Sequence, residues 1–168
     1  MRSFNLLFVG AISALSIAPI SAGAATLLFD TDPFVGTAAL TTPGRQVVMT
    51  NERFVSFDVL NDVAAVSVNA FDFDADGGFF NGFAAGLPTG GLSFIVLQDL
   101  DSDGNPANGL ALNAGQAANL IAAEIDTAGA GFFVYFNQAL QLNRLVYSTD
   151  LSDPTADLSV IARFTNQT

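Results

Sequence analysis

The carboxy-terminal stretch over residues 131–164 carries the densest strand signal in the chain. It begins with the run FFVYF over residues 132–136, in which every side chain is aromatic or β-branched. Such residues pack well on a pleated surface, and a run that is apolar on both faces is typical of a strand covered on both sides. A second strand is predicted over residues 144–149 and a third over residues 158–164. The stretch therefore predicts three consecutive strands and a β-rich fold.

The turn between the second and third strands lies at residues 150–154, DLSDP. Asp and Ser side chains bond their own backbone and Pro presets a turn, so the chain should reverse here. In the third strand apolar and polar residues alternate, which predicts one face in a core and one in water. The apolar set is Leu158, Val160, Ala162 and Phe164. Ile161 is the one residue that does not fit this alternation.

Shorter strand signals precede this stretch. Strands are predicted over residues 26–30, 45–50, 53–60, 63–73 and 92–98, and the last is apolar on both faces, as in a central strand. The strands over 45–50 and 53–60 are predicted to form a hairpin that turns at Asn51 and Glu52. The Gly-rich segment over 74–91 is interpreted as a loop.

One helix is predicted, after residue 113. Asn113 and Gln116 have the spacing of a capping box, apolar residues then recur at helical spacing, and Gly129 is expected to end the helix. The apolar positions are Ala117, Leu120, Ile121 and Ile125. The predicted fold is therefore mainly β: an antiparallel two-sheet sandwich, jelly-roll-like, with one short α-helix at a sheet edge or at one end of the sandwich.

The amino terminus, residues 1–24, has the pattern of a secretory signal peptide. One positive charge at Arg2 precedes an apolar run over residues 6–18, and small residues follow at 21–24. The run is shorter than the ~20 residues that span a bilayer, which disfavours the alternative of a retained membrane-anchoring helix. We expect cleavage after Ala24, a single mature domain over residues 25–168 with no transmembrane segment, and a secreted, periplasmic or cell-surface location.

The mature chain predicted in this way is strongly acidic. It has four arginines, no lysine and 16 acidic residues, a net charge of −12. Nucleic acids and anionic lipids are bound chiefly through Lys and Arg, so this charge argues against both as partners. Only 12% of all residues are charged and 51% are hydrophobic, which indicates a folded domain rather than a disordered acidic tail.

The residue types that are absent limit the chemistry further. The mature chain has no His, Cys, Lys or Trp. This excludes Ser-His-Asp and Cys-His nucleophile systems, Schiff-base lysines, zinc sites with nitrogen or sulfur ligands, and a P-loop. Only carboxylates could perform acid–base chemistry, and a glycosidase-like carboxylate pair is the weakest of the functional hypotheses. We therefore expect no enzymatic activity.

Two segments share the pattern DxDxDG, at residues 72–77 and 99–104. Alternating carboxylates before a Gly can gather oxygen ligands around calcium, which is the one candidate cofactor. The twelfth positions hold Phe83 and Leu110 instead of Glu, so neither segment is an EF-hand. The alternative is that these residues simply form turns. The second segment is the better candidate, because Asn105 and Asn108 add carbonyl oxygens; its proposed metal ligands are Asp99, Asp101 and Asp103.

The motifs GFFVYFN, RLVYSTDLSD and TADL, preceded by ALNAGQAANLIAAEI, resemble the carboxy-terminal half of bacterial exported proteins of the PEP-CTERM group, which exosortase sorts. The resemblance covers residues 110–164. It implies a secreted or envelope protein without known enzymatic activity, made by bacteria that build extracellular polysaccharide. Members of that group usually end in Val-Pro-Glu-Pro, an apolar helix and an Arg cluster, whereas this sequence ends at Thr168. Either the tag has been lost or the sequence is truncated.

Besides the glycosidase hypothesis, the sequence leads to two stronger functional hypotheses of different classes. The first is an exported non-enzymatic bacterial protein with a structural, extracellular-matrix or envelope-associated role. The alternative is a calcium-assisted carbohydrate-binding module that binds extracellular polysaccharide. Aromatic residues would stack on the sugar, and the candidates are Tyr135, Tyr147, Phe79, Phe80 and Phe83.

Overall fold

The computed structural model describes residues 25–58, 61–98 and 111–166. The predicted signal peptide and the Asp99–Asp103 motif lie outside these residues. In these ranges the chain forms nine strands, one α-helix and a 3-10 turn at Ala84–Gly86. The strands are β1 Thr26–Phe29, β2 Val47–Val48, β3 Arg53–Val55, β4 Val63–Val66, β5 Gly78–Gly82, β6 Leu92–Leu97, β7 Gly131–Asn137, β8 Leu142–Ser148 and β9 Leu158–Phe164, and the helix is α1 Ala114–Glu124.

The three carboxy-terminal strands are confirmed as the centre of the fold. β7 pairs antiparallel with β8, and β8 pairs antiparallel with β9. The predicted turn between β8 and β9 also forms as expected: Asp150 accepts a hydrogen bond from the backbone of Ser152 at 2.9 Å, and Asp153 accepts one from the backbone of Thr155 at 2.7 Å. Local turn chemistry therefore fixes this part of the topology.

The remaining pairings are parallel, so the larger sheet is mixed. Its order is β2-β9-β8-β7-β6-β5, and β3 also pairs with β9. β2 and β3 run parallel to β9, and β5, β6 and β7 run parallel to one another. A second sheet consists of the parallel pair β1 and β4. The fold is mainly β with one helix, as predicted, but among the described strands antiparallel pairing is confined to β7–β8 and β8–β9.

The predicted hairpin at Asn51–Glu52 is wrong. Strands β2 and β3 pair end to end along the same edge of β9 and not with each other. The turn between them does exist, since the backbone N–H of Glu52 donates to the carbonyl of Met49 at 3.3 Å. The chain therefore leaves the edge of β9 after Val48, makes a tight loop and returns to the same edge at Arg53.

Strand β5 lies within the Gly-rich segment over 74–91, for which the sequence predicts a loop, so this prediction is wrong. Its sequence, GFFNG, has Gly at both ends and only three other residues. Pairing with β6 supplies the order that this short sequence does not specify locally. Gly78 is needed at the start of the pair, because a Cβ there would lie 2.8 Å from the carbonyl oxygen of Gly91.

Two apolar clusters cover the two faces of the larger sheet. One lies under β1 and β4 and includes Phe29, Phe71 and Phe132. The other lies under the helix and includes Ile121 and Phe133. Helix α1 therefore packs on a face of the sheet and not at its edge. Its capping box forms as predicted, with both hydrogen bonds between Asn113 and Gln116 at 3.0 Å, but the helix ends at Glu124, before Gly129.

The alternation predicted for β9 is interrupted by a β-bulge at Ile161. Leu145 pairs with Ala162 and its neighbour Val146 pairs with Val160, so Ile161 has no partner on β8. Ile161 and Ala162 therefore belong to the cluster under β1 and β4, whereas Val160 belongs to the cluster under the helix. The predicted water-facing side of β9 is wrong, because both faces of the strand are covered.

Candidate functional site

The proposed calcium ligands Asp99, Asp101 and Asp103 lie outside the described residues, so their site stays a prediction. The first DxDxDG segment is described and behaves as a turn. The Asp74 carboxylate accepts a hydrogen bond from the backbone of Asp76 at 3.0 Å, and its carbonyl accepts one from Gly77 at 3.1 Å. Within the described ranges, no three His, Cys, Asp or Glu side chains come together as a metal-binding group.

The two Asp-rich segments are attached at opposite ends of the same strand pair. Gly77 immediately precedes the start of β5, whereas the backbone N–H of Gln98 donates to the carbonyl of Gly82, at the end of β5, at 2.8 Å. Five residues of strand, about 16 Å, separate the two points of attachment. We therefore treat the two segments as separate candidates.

The structure separates the aromatic candidates into buried and exposed residues. Tyr135 and Tyr147 are 0% and 4% exposed, so neither can stack on a sugar. The Tyr147 hydroxyl lies 3.4 Å from the carbonyl of Asp72, and burial, together with the nearby Asp72 charge, raises its pKa to about 12. Phe80 packs partly into the cluster under the helix. Phe79 and Phe83 are 51% and 37% exposed.

Phe79 belongs to an exposed strip at the β5 edge of the larger sheet. Its ring stacks on that of Phe94, with centroids 5.7 Å apart and planes at 8°. Asn81 follows two residues later on the same face of β5, and its side-chain oxygen accepts a hydrogen bond from Gln98 at 2.8 Å. The strip Phe79, Asn81 and Gln98 therefore combines one exposed ring with two amides, and the Asp99–Asp103 motif begins at the next residue after it.

A buried ionic cluster holds the β2–β3 loop over the sheet. Oε1 of Glu52 accepts hydrogen bonds from Nη2 and Nε of Arg144 at 2.8 and 3.1 Å, and Nε of Arg163 lies 2.7 Å from the same oxygen. The side chains of Glu52 and Arg144 are only 5% and 7% exposed. Contact with Glu52 raises the pKa of Arg163, although burial opposes the effect. The cluster has a structural role, because its charged groups contact one another.

Two further charged residues fix the loop before β2. Arg45 donates to the carbonyls of Ala156 and Gly115 at 3.0 and 2.7 Å, which connects the loop to the β8–β9 turn and to the helix. Burial lowers the pKa of Arg45, and Asp153 and Asp157 oppose this. The buried Asp157 accepts hydrogen bonds from the backbones of Leu40 and Gln46, both at 2.6 Å.

Arg53 is the fourth described arginine. Within the described residues its Nη1 alone forms a hydrogen bond, to the carbonyl of Leu28 at 2.6 Å, and its guanidinium lies 4.8 Å from the centroid of the Phe29 ring. It lines a cleft of about 200 Å³ between the two sheets. The floor of the cleft is formed by Phe29, Phe71 and Ile161, and its rim by Asp30, Asn51 and Arg53.

The cleft depends on two features that departed from the sequence-based expectation. The bulge directs Ile161 toward the cleft, as bulges next to binding sites often do. The loop over residues 49–52 places Asn51 at the rim. The signal in the sequence was the failure of Ile161 to fit the alternation of β9. It identified an irregular position but could not show which surface the side chain would face.

Comparison with models of protein families, with curated proteins and with solved structures finds no match to this chain. In the ranges that the structure describes, no helix has the length and apolar character needed to cross a membrane.

Proposed function

We propose that this chain is an exported, non-enzymatic bacterial protein with a structural role in the extracellular matrix or at the cell envelope. The observation that carries the proposal is that buried charged side chains of the described residues bind other parts of the same chain. Glu52, Arg144 and Arg163 bind one another, and Arg45 and Asp157 fasten loops. Catalytic carboxylates and arginines need to face a substrate, whereas these groups hold the scaffold together.

The resemblance to the PEP-CTERM group supports the same proposal. The motifs GFFVYFN and RLVYSTDLSD correspond to β7, β8 and the turn after β8. These residues form the interior of the sheet, so what they would share with that group is a scaffold. Extracellular polysaccharide is the polymer with which such a scaffold would associate.

Expression of the full chain in a Gram-negative host tests the location. We expect the protein in the periplasm or medium, shortened by about 24 residues as measured by mass spectrometry. An uncleaved product in the cytoplasm or membrane would contradict export. In parallel, the purified protein should release no reducing sugar from a panel of polysaccharides, and reproducible hydrolysis would contradict a non-enzymatic role.

A second candidate function, a calcium-assisted carbohydrate-binding module, is favoured by the strip Phe79, Asn81 and Gln98. Sugar sites combine an aromatic ring with amide or carboxylate groups, and β-sandwich modules present them on a face or at a loop rim. The packing of β1 and β4 on the larger sheet supports a sandwich interpretation. The start of the Asp99–Asp103 motif beside Gln98 would place calcium next to the sugar.

Retention on immobilised neutral polysaccharides, with calcium and with chelator, tests this candidate. Phe79→Ala should lose most of the retention. Phe54→Ala is the matched control, because Phe54 is 69% exposed and lies on β3, at the opposite edge of the sheet. Equal retention of the two variants, or no retention of the parent protein, would remove the candidate.

A further inference from the structure

We propose that the cleft between the two sheets binds a small carboxylate with an apolar tail, whose carboxylate group pairs with Arg53. This site is distinct from the exposed strip at Phe79 and independent of the proposed scaffold role.

Arg53 is the described arginine that lines the cleft, and it has donors to spare. Arg144 and Arg163 contact Glu52, and Arg45 donates to two backbone carbonyls. Nε and Nη2 of Arg53 donate to no atom of the described chain, since its one hydrogen bond is made by Nη1. Those two nitrogens form one fork of the planar guanidinium, which matches a carboxylate with two parallel hydrogen bonds.

Two contacts within the chain also hold the Arg53 side chain in place. The hydrogen bond from Nη1 to Leu28 and the stacking of the guanidinium on Phe29 fix its position on the rim. An arginine that is already ordered loses less side-chain entropy when it binds a ligand. The amide of Asn51, on the same rim, can supply a further donor.

The lining and volume define the rest of the ligand. Leu28, which is 39% exposed, offers a hydrocarbon surface at the cleft, next to the nearly buried Phe29, Phe71 and Ile161, and this favours an apolar tail beside the charged head. A cavity of 150 Å³ accommodates benzene, so a cleft of about 200 Å³ suits a ligand of about eight heavy atoms. Hexanoate has this size, and hexanamide is its uncharged isostere.

A neutral sugar fits the cleft less well. Phe29 and Phe71 are only 5% and 2% exposed, and the guanidinium of Arg53 covers one face of the Phe29 ring. Neither ring therefore presents an open face for a sugar to stack on. The carboxylate of Asp30 lies on the same rim and would repel an anion, and this gives the proposal its sharpest test.

The experiment is a titration of the purified protein with hexanoate and with hexanamide, followed by NMR chemical shifts of the Ile161 methyl groups. Hexanoate should bind at least tenfold more tightly than hexanamide, since a hydrogen bond to a charged group stabilises more than a neutral one. Glucose serves as the sugar control. Equal binding of hexanoate and hexanamide, or perturbation of Ile161 by glucose alone, would overturn the proposal.

Variants of Arg53 and Asp30 test whether these residues determine the binding of hexanoate. Arg53→Gln should weaken hexanoate about 10- to 100-fold and leave hexanamide unchanged. Arg53→Lys keeps the charge without the fork and should fall between the parent and Arg53→Gln; it also serves if Arg53→Gln fails to fold. Asp30→Asn should bind hexanoate as tightly as the parent protein or more tightly, whereas Asp126→Asn, the same charge change beyond helix α1, should have no effect. Weaker binding of hexanoate by Asp30→Asn would overturn the proposal, because removal of a like charge should not weaken an anion that pairs with Arg53.

Discussion

Glu52 is the residue on which the β2–β3 loop depends most. One carboxylate oxygen contacts two arginines, and its side chain is 5% exposed. Removing one partner of a buried ion pair is costly, because it leaves uncompensated charge where water cannot solvate it. Here two positive charges would be left without their partner.

We therefore expect Glu52→Gln to lower the free energy of unfolding by about 3–5 kcal/mol, measured by urea denaturation. Glu124→Gln, the same change at the last residue of helix α1, should cost less than about 0.5 kcal/mol. Adding Arg144→Met to Glu52→Gln should recover part of the loss, because it removes one of the uncompensated charges. A Glu52→Gln variant as stable as the parent would show that the cluster is well solvated.

Tyr147 should show the effect of burial in its titration. Its folded-state pKa is raised to about 12 from 10.0, first by burial and then by the charge of Asp72. The stabilising contribution of the neutral phenol is fully present below pH 10 and is lost as the pH rises toward 12, because the unfolded chain ionises first. In a Tyr135→Phe variant Tyr147 is the single tyrosine, and phenolate absorbance should rise near pH 12. A midpoint near 10 in folded protein would contradict this environment.

At the residue scale, the sequence shows which residues are aromatic but not which of them are exposed. The sequence offers Tyr135, Tyr147 and some of Phe79, Phe80 and Phe83 as candidates for sugar stacking, because any aromatic residue can occupy a core or a surface. The structure buries both tyrosines and exposes Phe79, and this depends on which strand lies at an edge of the sheet. Edge and centre are properties of the whole sheet, so a single residue in the sequence does not carry them.

Among the described strands, β9 has the largest number of pairing partners. It pairs with β8 on one side and with both β2 and β3 on the other. Val160 lies at the middle of the strand, fully buried in the cluster under the helix. A carboxylate introduced at this position would have no partner there.

We expect Val160→Asp to prevent folding, because burial of an unpaired carboxylate costs several kcal/mol against a total stability of ~5–15 kcal/mol. Val35→Asp is the matched control: Val35 is 67% exposed, so its variant should melt like the parent. Thermal unfolding followed by circular dichroism measures both. A Val160→Asp variant with the parent's melting temperature would mean that the register of β9 across the bulge is wrong.

At the scale of elements, the sequence predicted correctly those elements whose contacts are between residues close together in the chain. β7, β8 and β9 are joined by short turns, and the helix carries its own capping box, so local residues specify both. Parallel partners are separated by long connections, and β5 needs β6 to become a strand. The hairpin at Asn51–Glu52 failed for the same reason: the local turn exists, but β9 provides the partner that sets the strand direction.

At the scale of the whole molecule, positive and negative charges have different roles. Three of the four described arginines hold loops or strands in place, and Arg53 lines a cleft. The sequence has 16 acidic residues but only five arginines and no lysine. The folded chain therefore carries an excess of negative charge that a bound cation would reduce.

The Asp99–Asp103 motif is where we expect a cation to act on the stability of the whole molecule. Three alternating carboxylates repel one another, and the sequence has no Lys or Arg between Arg53 and Arg144 to offset them. Calcium bound by the folded state alone would stabilise it by about 2.7 kcal/mol at a hundredfold excess over its Kd. For a domain of this size the melting temperature should rise by several degrees.

The double variant Asp101→Asn, Asp103→Asn should lose most of that rise. Its matched control is Asp74→Asn, Asp76→Asn in the other DxDxDG segment, where the Asp74 carboxylate already accepts a hydrogen bond from its own turn. The control keeps a side-chain oxygen at position 74 that can accept the same hydrogen bond, so it should melt close to the parent and keep the calcium-dependent rise. Magnesium at equal concentration tests for general screening. If calcium raises the melting temperature no more than magnesium does, or if both double variants keep the rise, Asp99, Asp101 and Asp103 are turn residues and the calcium hypothesis is wrong.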